Sequence, residues 1–70
     1  MRIQWEDGFS IRVRVEGGAV ILSANRAGLA SLAGQLRTLS EAPSDTHIHY
    51  DKWNSLEEGS ADLIVEKIEE

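Results

Sequence analysis

The stretch that decides the fold is NRAGLASLAGQLRTLS, residues 25–40. Five apolar side chains recur in it at the three- and four-residue spacing of an α-helix: Leu29, Leu32, Ala33, Leu36 and Leu39. Residues with this spacing lie on one face of a helix, whereas Ala27, Ser31 and Thr38 fall roughly opposite. We therefore predict one amphipathic helix that buries its leucines against a sheet.

The ends and the glycines of this stretch refine the prediction. The side chain of Asn25 can accept a hydrogen bond from the free N–H groups of the first turn, so Asn25 caps the helix. Pro43 ends the helix, because a proline forces the preceding residue toward extended backbone. Gly28 lowers helix stability, and one physical reason to keep it is a close approach of helix to sheet, whereas Gly34 lies on the outer face.

The segments around the helix have the composition and period of β-strands. Residues 9–16 alternate apolar and polar side chains, which predicts a strand with one buried face. Gly17 and Gly18 predict a tight turn. Residues 19–24 are almost entirely apolar, which is typical of a strand that is central or covered on both faces. Residues 47–51 alternate again and predict a short strand.

The two outermost segments are less clear. Residues 2–5 form either a short strand, followed by a turn at Asp7-Gly8, or a frayed arm. Residues 61–69 form the last strand, but apolar side chains occupy both of its faces and leave its orientation open. The sum is a single α+β domain over residues 1–70. Its antiparallel sheet has four to five strands, in the sequence order (β)ββαββ, with one helix packed on one face.

Composition excludes several classes of protein. The 70 residues carry a net charge of −5 and include no cysteine, so neither disulfides nor thiolate metal sites reinforce the domain. The apolar runs are shorter than the ~20 residues that span a bilayer. The first residues contain no apolar signal segment. We therefore expect a cytoplasmic protein that does not bind a membrane.

The charge is unevenly distributed along the chain. Residues 1–40 contain five arginines and three acids, whereas residues 41–70 contain nine acids and two lysines. Nucleic-acid binding needs clustered Lys and Arg, so this balance disfavours it. The acidic half suits a basic partner protein, although an acidic composition also serves solubility alone.

The sharpest chemical motif is His47-x-His49-x-Asp51. Alternate residues of a strand project from one face about 7 Å apart, a spacing at which two imidazoles can share one Zn²⁺. An ordinary solvent-facing strand has the same pattern, and the spacing specifies no third strong ligand. We therefore expect no metal and no other cofactor, and keep a small metal-binding protein as an alternative.

The chain lacks the usual patterns of catalytic residues. No Gly-x-Ser-x-Gly elbow surrounds Ser55 or Ser60. The pair Glu57-Glu58 could act in acid–base catalysis only within a cleft, which a domain of this size can hardly form. We expect no enzymatic activity.

What remains is a surface for binding another protein. On the outer face of the predicted sheet, Arg12 and Arg14 would lie with the two histidines, beside a loop at residues 52–60. Aromatic side chains with charged neighbours are typical interface anchors, although the alternative is that Trp53 plugs the end of the core. The predicted contact residues are His47, His49, Trp53, Leu56, Glu57 and Glu58.

Four segments together resemble one protein family. They are Asn25-Arg26-x-Gly28-Leu29-x-x-Leu32-Ala33-x-x-Leu36, His47-Ile48-His49, Trp53-Asn54-Ser55-Leu56-Glu57-x-Gly59-Ser60 and Leu63-Ile64-Val65-Glu66-Lys67. Over about residues 19–68 the chain is similar to the short immunity proteins numbered thirty-two among bacterial polymorphic toxin systems. The paired histidines and the loop around Gly59 are the specific parts, whereas the leucine pattern is generic.

The resemblance implies a small non-catalytic protein that binds a cognate toxin and neutralises it. The implied partner is a protein, and many such toxins are basic nucleases. The chain itself would be a monomer or a homodimer. Two alternatives remain from the residues alone: a homodimeric structural module joined through the outer face, and a metal-binding protein that uses His47, His49 and Asp51.

Overall fold

Two β-hairpins and one helix make up the architecture, which confirms the α+β class. A computed structural model describes residues 2–69. In chain order the elements are β1 (Ile11–Glu16), β2 (Ala19–Ala24), α1 (Arg26–Ser40), β3 (His47–Tyr50) and β4 (Leu63–Glu66). Strand β1 pairs antiparallel with β2, and β3 pairs antiparallel with β4. Within residues 2–69, no helix combines the length and the apolar composition needed to cross a membrane.

The prediction of a single sheet of four to five strands is not confirmed, because the described strands form two separate pairs. A loop lies between the pairs. Backbone N–H groups of the 57–61 loop donate to Ile11 O at 2.9 Å and to Val13 O at 2.8 Å. Ser60 Oγ accepts from Val13 N–H at 3.2 Å. A turn at Gly59, with φ +87°, interrupts the segment, so it covers this edge of β1 without forming a regular ladder.

The N-terminal segment is neither the predicted strand nor a frayed arm. Residues 2–6 run along the helix as an arm that is held by two hydrogen bonds. Glu6 N–H donates to Ser31 Oγ at 2.8 Å, and Gln35 Nε2 donates to Gln4 O at 2.8 Å. The helix side chains, rather than another strand, therefore satisfy this part of the backbone.

Aromatic side chains fasten the arm to the core. The ring of Trp5 stacks on Phe9 with centroids 4.3 Å apart, and it meets the ring of Tyr50 edge-on at 6.2 Å. The turn at Asp7-Gly8 is confirmed, with Gly8 at φ +79°. Such stacked and edge-to-face pairs add to the apolar burial of each ring.

The start of the helix agrees with the sequence. Asn25 Oδ1 accepts from Gly28 N–H at 2.8 Å, as an N-cap should. A Cβ at Gly28 would lie 2.7 Å from Ser10 O and 2.9 Å from Ile11 Cγ1, so the predicted close approach is confirmed. A Cβ at Gly34 would meet nothing within 4 Å, which places Gly34 on the outer face.

The other end of the helix depends on a residue far away in sequence. The helix ends at Ser40, before Pro43. Lys67 Nζ donates to Ser40 O at 2.9 Å and to Ala42 O at 2.7 Å. An ammonium group at a helix C-terminus satisfies free carbonyls and opposes the negative end of the helix dipole.

The helix is rotated relative to the predicted leucine stripe, which is therefore partly wrong. Leu32 and Leu39 are buried, but Leu29 is 54% exposed and Leu36 is 44% exposed. Ser31, predicted to face away from the sheet, is buried together with Gln35, Gly28 and the two core leucines. The arm explains the rotation, because it supplies hydrogen-bond partners for the polar side chains on that flank.

The core lies between the helix and the inner faces of both hairpins. Its buried apolar members are Ile11, Val13, Leu32, Leu39, Ile48, Tyr50 and Leu56. The hydroxyl of Tyr50 donates to Gln35 Oε1 at 2.7 Å. Burial raises the pKa of Tyr50 above its ordinary value, because the phenolate would lose its water.

Strand β2 differs most from its prediction. It is an edge strand rather than a central one, and Val20 is 62% exposed and Leu22 36% exposed. Val15, opposite Val20 in the ladder, is 60% exposed although its alternation predicts burial. The tip of the first hairpin therefore extends beyond the cover that the helix provides.

Candidate binding surface

The outer face of the second hairpin carries both histidines. In the ladder His47 lies opposite Glu66, and His49 lies opposite Ile64. Directly opposed residues share one face of a sheet, so these four side chains point the same way, and all four are exposed. The register settles the orientation of β4: Ile64 is 59% exposed, and the alternate residues of the strand are partly buried.

A histidine–carboxylate cluster forms here, but with a different membership from the predicted one. His49 Nε2 lies 3.0 Å from Asp62 Oδ2. One possible ligand atom from each of His49, Asp51 and Asp62 lies within 4.8 Å of the others. The cluster contains Asp62 in place of His47, because Asp62 immediately precedes β4 and comes beside His49 through strand pairing. Metal binding stays an untested alternative, now with His49, Asp51 and Asp62 as its candidate ligands.

The loop after β3 is a compact turn. Asp51 Oδ1 accepts from Trp53 N–H at 2.9 Å and from Asn54 N–H at 3.0 Å. Asn54 Nδ2 donates back to His49 O at 2.9 Å. An aspartate that binds the backbone two and three residues later stabilises a turn. The side chain of Trp53 is therefore displayed from a fixed backbone.

Trp53 does not plug the core, so that interpretation is wrong. Its side chain is 83% exposed, the largest exposed fraction among the described large apolar residues. Lys52 Nζ lies 4.9 Å from the centroid of the indole ring and 3.5 Å from Glu58 Oε1. A cation over the ring face orients the indole without covering its other face.

The predicted contact residues divide into two groups. Leu56 is only 5% exposed and belongs to the core, so the structure corrects its placement on the binding surface. The buried side chain of Leu56 anchors the loop after β3 to the core. The remaining five are exposed: His47, His49, Trp53, Glu57 and Glu58.

The balance of charge around this surface is acidic. Lys67 turns away to cap the helix, and Lys52 is engaged with Glu58. Arg12 and Arg14 line an open groove with Glu57 on the first hairpin, and Arg14 is paired with Glu16 at 2.8 Å. The exposed acids of the surface are Glu57, Glu58, Asp62 and Glu66.

Sequence reasoning missed Asp62 and left Ile64 undecided. Asp62 stands next to a strand whose orientation was open, so no local pattern links it to His49. Ile64 is outward only because of the register with β3. The ends of β3 and β4, at Tyr50 and Leu63, set this register, and the sequence pattern predicts the end of the loop at residue 60 instead.

A comparison with known families identifies the chain. A family model described as Immunity protein 32 matches residues 19–68. No curated protein and no solved structure matches the chain. The matched region extends from β2 to the residues after β4 and contains the whole surface described above. Because the match covers more than half of its length, the chain belongs to the Immunity protein 32 family.

Proposed function

We propose that this protein neutralises a cognate toxin by binding it, without catalysis, through the outer face of the second hairpin and the adjoining loop. We call this area the toxin-binding surface. Its members are His47, His49, Trp53, Glu57, Glu58 and Ile64. The family assignment supports the role in toxin neutralisation. The single observation that carries the choice of surface is the exposure of Trp53.

An exposed tryptophan on a fixed turn is well suited to anchor a partner. Burying an indole removes a large apolar area from water, and tryptophan is enriched among residues that dominate binding energy. The turn made by Asp51 and Asn54 already orders the backbone at Trp53. Less conformational entropy is therefore lost on association.

The charges around Trp53 suit a basic partner. Glu57, Glu58, Asp62 and Glu66 lie on the loop or the outer face, and the chain as a whole carries −5. An acidic surface attracts a basic protein over a distance of about one Debye length, ~8 Å at physiological salt. It raises the association rate more than it lowers the dissociation rate.

The proposal requires no catalytic group, cofactor or nucleic acid on this chain. The protein acts in the cytoplasm as a monomer or a homodimer, and its partner is a toxin domain, basic in the simplest case. Inhibition follows from occupying the toxin, so activity returns when the complex dissociates.

The test measures affinity for the cognate toxin domain, by calorimetry with purified proteins. We expect Trp53→Ala to weaken binding by at least tenfold, since interface tryptophans contribute about 2 kcal/mol or more. Leu36→Ala is the matched control, because it removes an exposed apolar side chain from the helix and should leave affinity unchanged. Equal affinity of Trp53→Ala and the unmodified chain would refute this surface.

A second variant separates charge from apolar contact. Replacing both Glu57 and Glu58 with lysine should slow association about tenfold at low salt and flatten its salt dependence. The dissociation rate should change less. An association rate that does not respond to these charges would show that the partner is not steered by them.

A further inference from the structure

One edge of the first hairpin is covered by another part of the chain, and the other edge is not. The edge of β1 that faces away from β2 is covered by the 57–61 loop. The corresponding edge of β2 has no backbone hydrogen-bonding partner anywhere in residues 2–69. A free edge of six residues presents unpaired N–H and C=O groups, which are a template for another strand.

Strand β2 also lacks the devices that normally protect such an edge. Its sequence is AVILSA, without lysine, proline or any charged residue. Its pairing with β1 is continuous from Ala19 to Ala24 and contains no bulge. Monomeric β-proteins usually place a charge, a proline or a bulge on an exposed edge. The regular, uncharged β2 is therefore suited to receive a strand.

Aliphatic side chains beside this edge are exposed on the side that faces the helix. Val20 and Leu22 belong to β2, and Val15 lies opposite Val20 in the ladder. We call β2 together with Val15 the aliphatic edge.

The distribution of charge along the chain indicates which molecule can pair with the free edge of β2. Residues 17–40 contain two arginines and no acid, whereas residues 41–70 carry nine acids. Two copies of this chain repel each other through their acidic halves, but the aliphatic edge lies outside those halves. Because β2 has no charged side chain, antiparallel pairing of two β2 strands places no two like charges opposite each other in any register.

We infer that the aliphatic edge joins two copies of this chain, with their β2 strands paired antiparallel about a two-fold axis. The two hairpins then form one continuous four-stranded sheet, and Val20 and Leu22 of each copy are covered by the other. This dimer differs from the sequence-based alternative that joined two copies through the outer face. It uses a different hairpin from the toxin-binding surface, so it leaves both toxin-binding surfaces free.

Sedimentation velocity across protein concentrations up to ~1 mM tests this arrangement. We expect the unmodified chain to form a dimer and Val20→Lys to weaken the dimer at least tenfold, because lysine places like charges across the axis. Ile64→Lys is the matched control: Ile64 is 59% exposed in a strand of the other hairpin, and its variant should dimerise normally. Circular dichroism checks that both variants are folded.

Amide hydrogen exchange adds a readout that does not depend on mutation. The alternate amides of β2 that do not donate to β1 should exchange more slowly as protein concentration rises. Amides of β4 should show no such dependence.

Two outcomes would overturn the inference. A monomeric unmodified chain at the highest concentration, or a Val20→Lys variant that dimerises normally, would do so directly. A monomeric chain in which Val20→Lys weakens toxin binding would assign the aliphatic edge to the toxin. The effect of Trp53→Ala on toxin affinity is measured separately, so failure here leaves that proposal standing.

Discussion

The two flanks of the helix show that burial does not follow residue polarity alone. On one flank Ser31 and Gln35 are buried, and on the other Leu29 and Leu36 are exposed. A helix that obeyed only its own pattern would be rotated so that the leucines faced inward. The two flanks differ in burial because the rest of the chain packs against one of them and not against the other.

The polar flank is covered because every buried polar group on it finds a partner. Ser31 accepts from the arm at Glu6 and donates to Ala27 O at 2.7 Å. Gln35 donates to the arm at Gln4 and accepts from Tyr50. Within the described residues, no buried side-chain nitrogen or oxygen lacks a hydrogen bond. Without those partners, burial of an amide and a hydroxyl would be strongly unfavourable.

The largest expected difference between the flanks is between two leucines of the same helix. Leu39→Ala should lower the free energy of unfolding by about 2–5 kcal/mol, because it leaves a cavity in the core. Leu36→Ala should change it by less than about 0.5 kcal/mol, because that side chain is already exposed. Urea denaturation measures both. Equal losses would mean that the helix is rotated toward its leucine stripe.

Two glycines provide the next comparison. Gly28→Ala should destabilise the protein by about 1–3 kcal/mol, because the new methyl group would lie 2.7 Å from the backbone oxygen of Ser10. Gly34→Ala meets open space and should stabilise it by up to ~1 kcal/mol through helix propensity. Both glycines lie inside the helix, so both substitutions gain helix propensity. The difference between their effects on stability therefore measures the contact of the new methyl group at position 28. Two stabilising variants would contradict the close approach.

An effect of similar size tests how the buried polar side chains of the helix are satisfied. Tyr50→Phe removes the hydroxyl that donates to Gln35 and should lower the free energy of unfolding by about 1–3 kcal/mol. The loss should appear at neutral pH, with the aromatic packing on Trp5 retained. Thermal unfolding followed by circular dichroism measures it, and an unchanged variant would show that water replaces the hydroxyl freely.

The same residue makes stability depend on pH in the alkaline range. The pKa of Tyr50 is higher in the folded protein than the ordinary value of 10.0, so the folded state holds this proton more tightly. Its contribution is complete below about pH 10 and is lost as pH rises toward the folded pKa. Tyr50 is the sole tyrosine, so absorbance of the phenolate follows it alone, with Tyr50→Phe as the control. An unshifted titration would contradict its burial.

Much of the local structure follows from short stretches of sequence. The cap at Asn25, the glycine turns and the alternation of β1 each depend on residues that are neighbours in the chain. The helix approaches the hairpin at Gly28 because only glycine fits there. For the binding surface, the same local reasoning selected five exposed residues and misassigned Leu56, whose burial depends on packing across the domain.

The sequence by itself determined the α+β class, the extent of the helix, the turns and the exposure of the paired histidines. Only the tertiary structure decided which helix flank is covered, which edge of the first hairpin is free and which carboxylate lies beside His49. These features depend on contacts between segments that are distant in the chain. Strand register and the path of the N-terminal arm determine these contacts, and neither can be predicted from the local periodicity of the sequence.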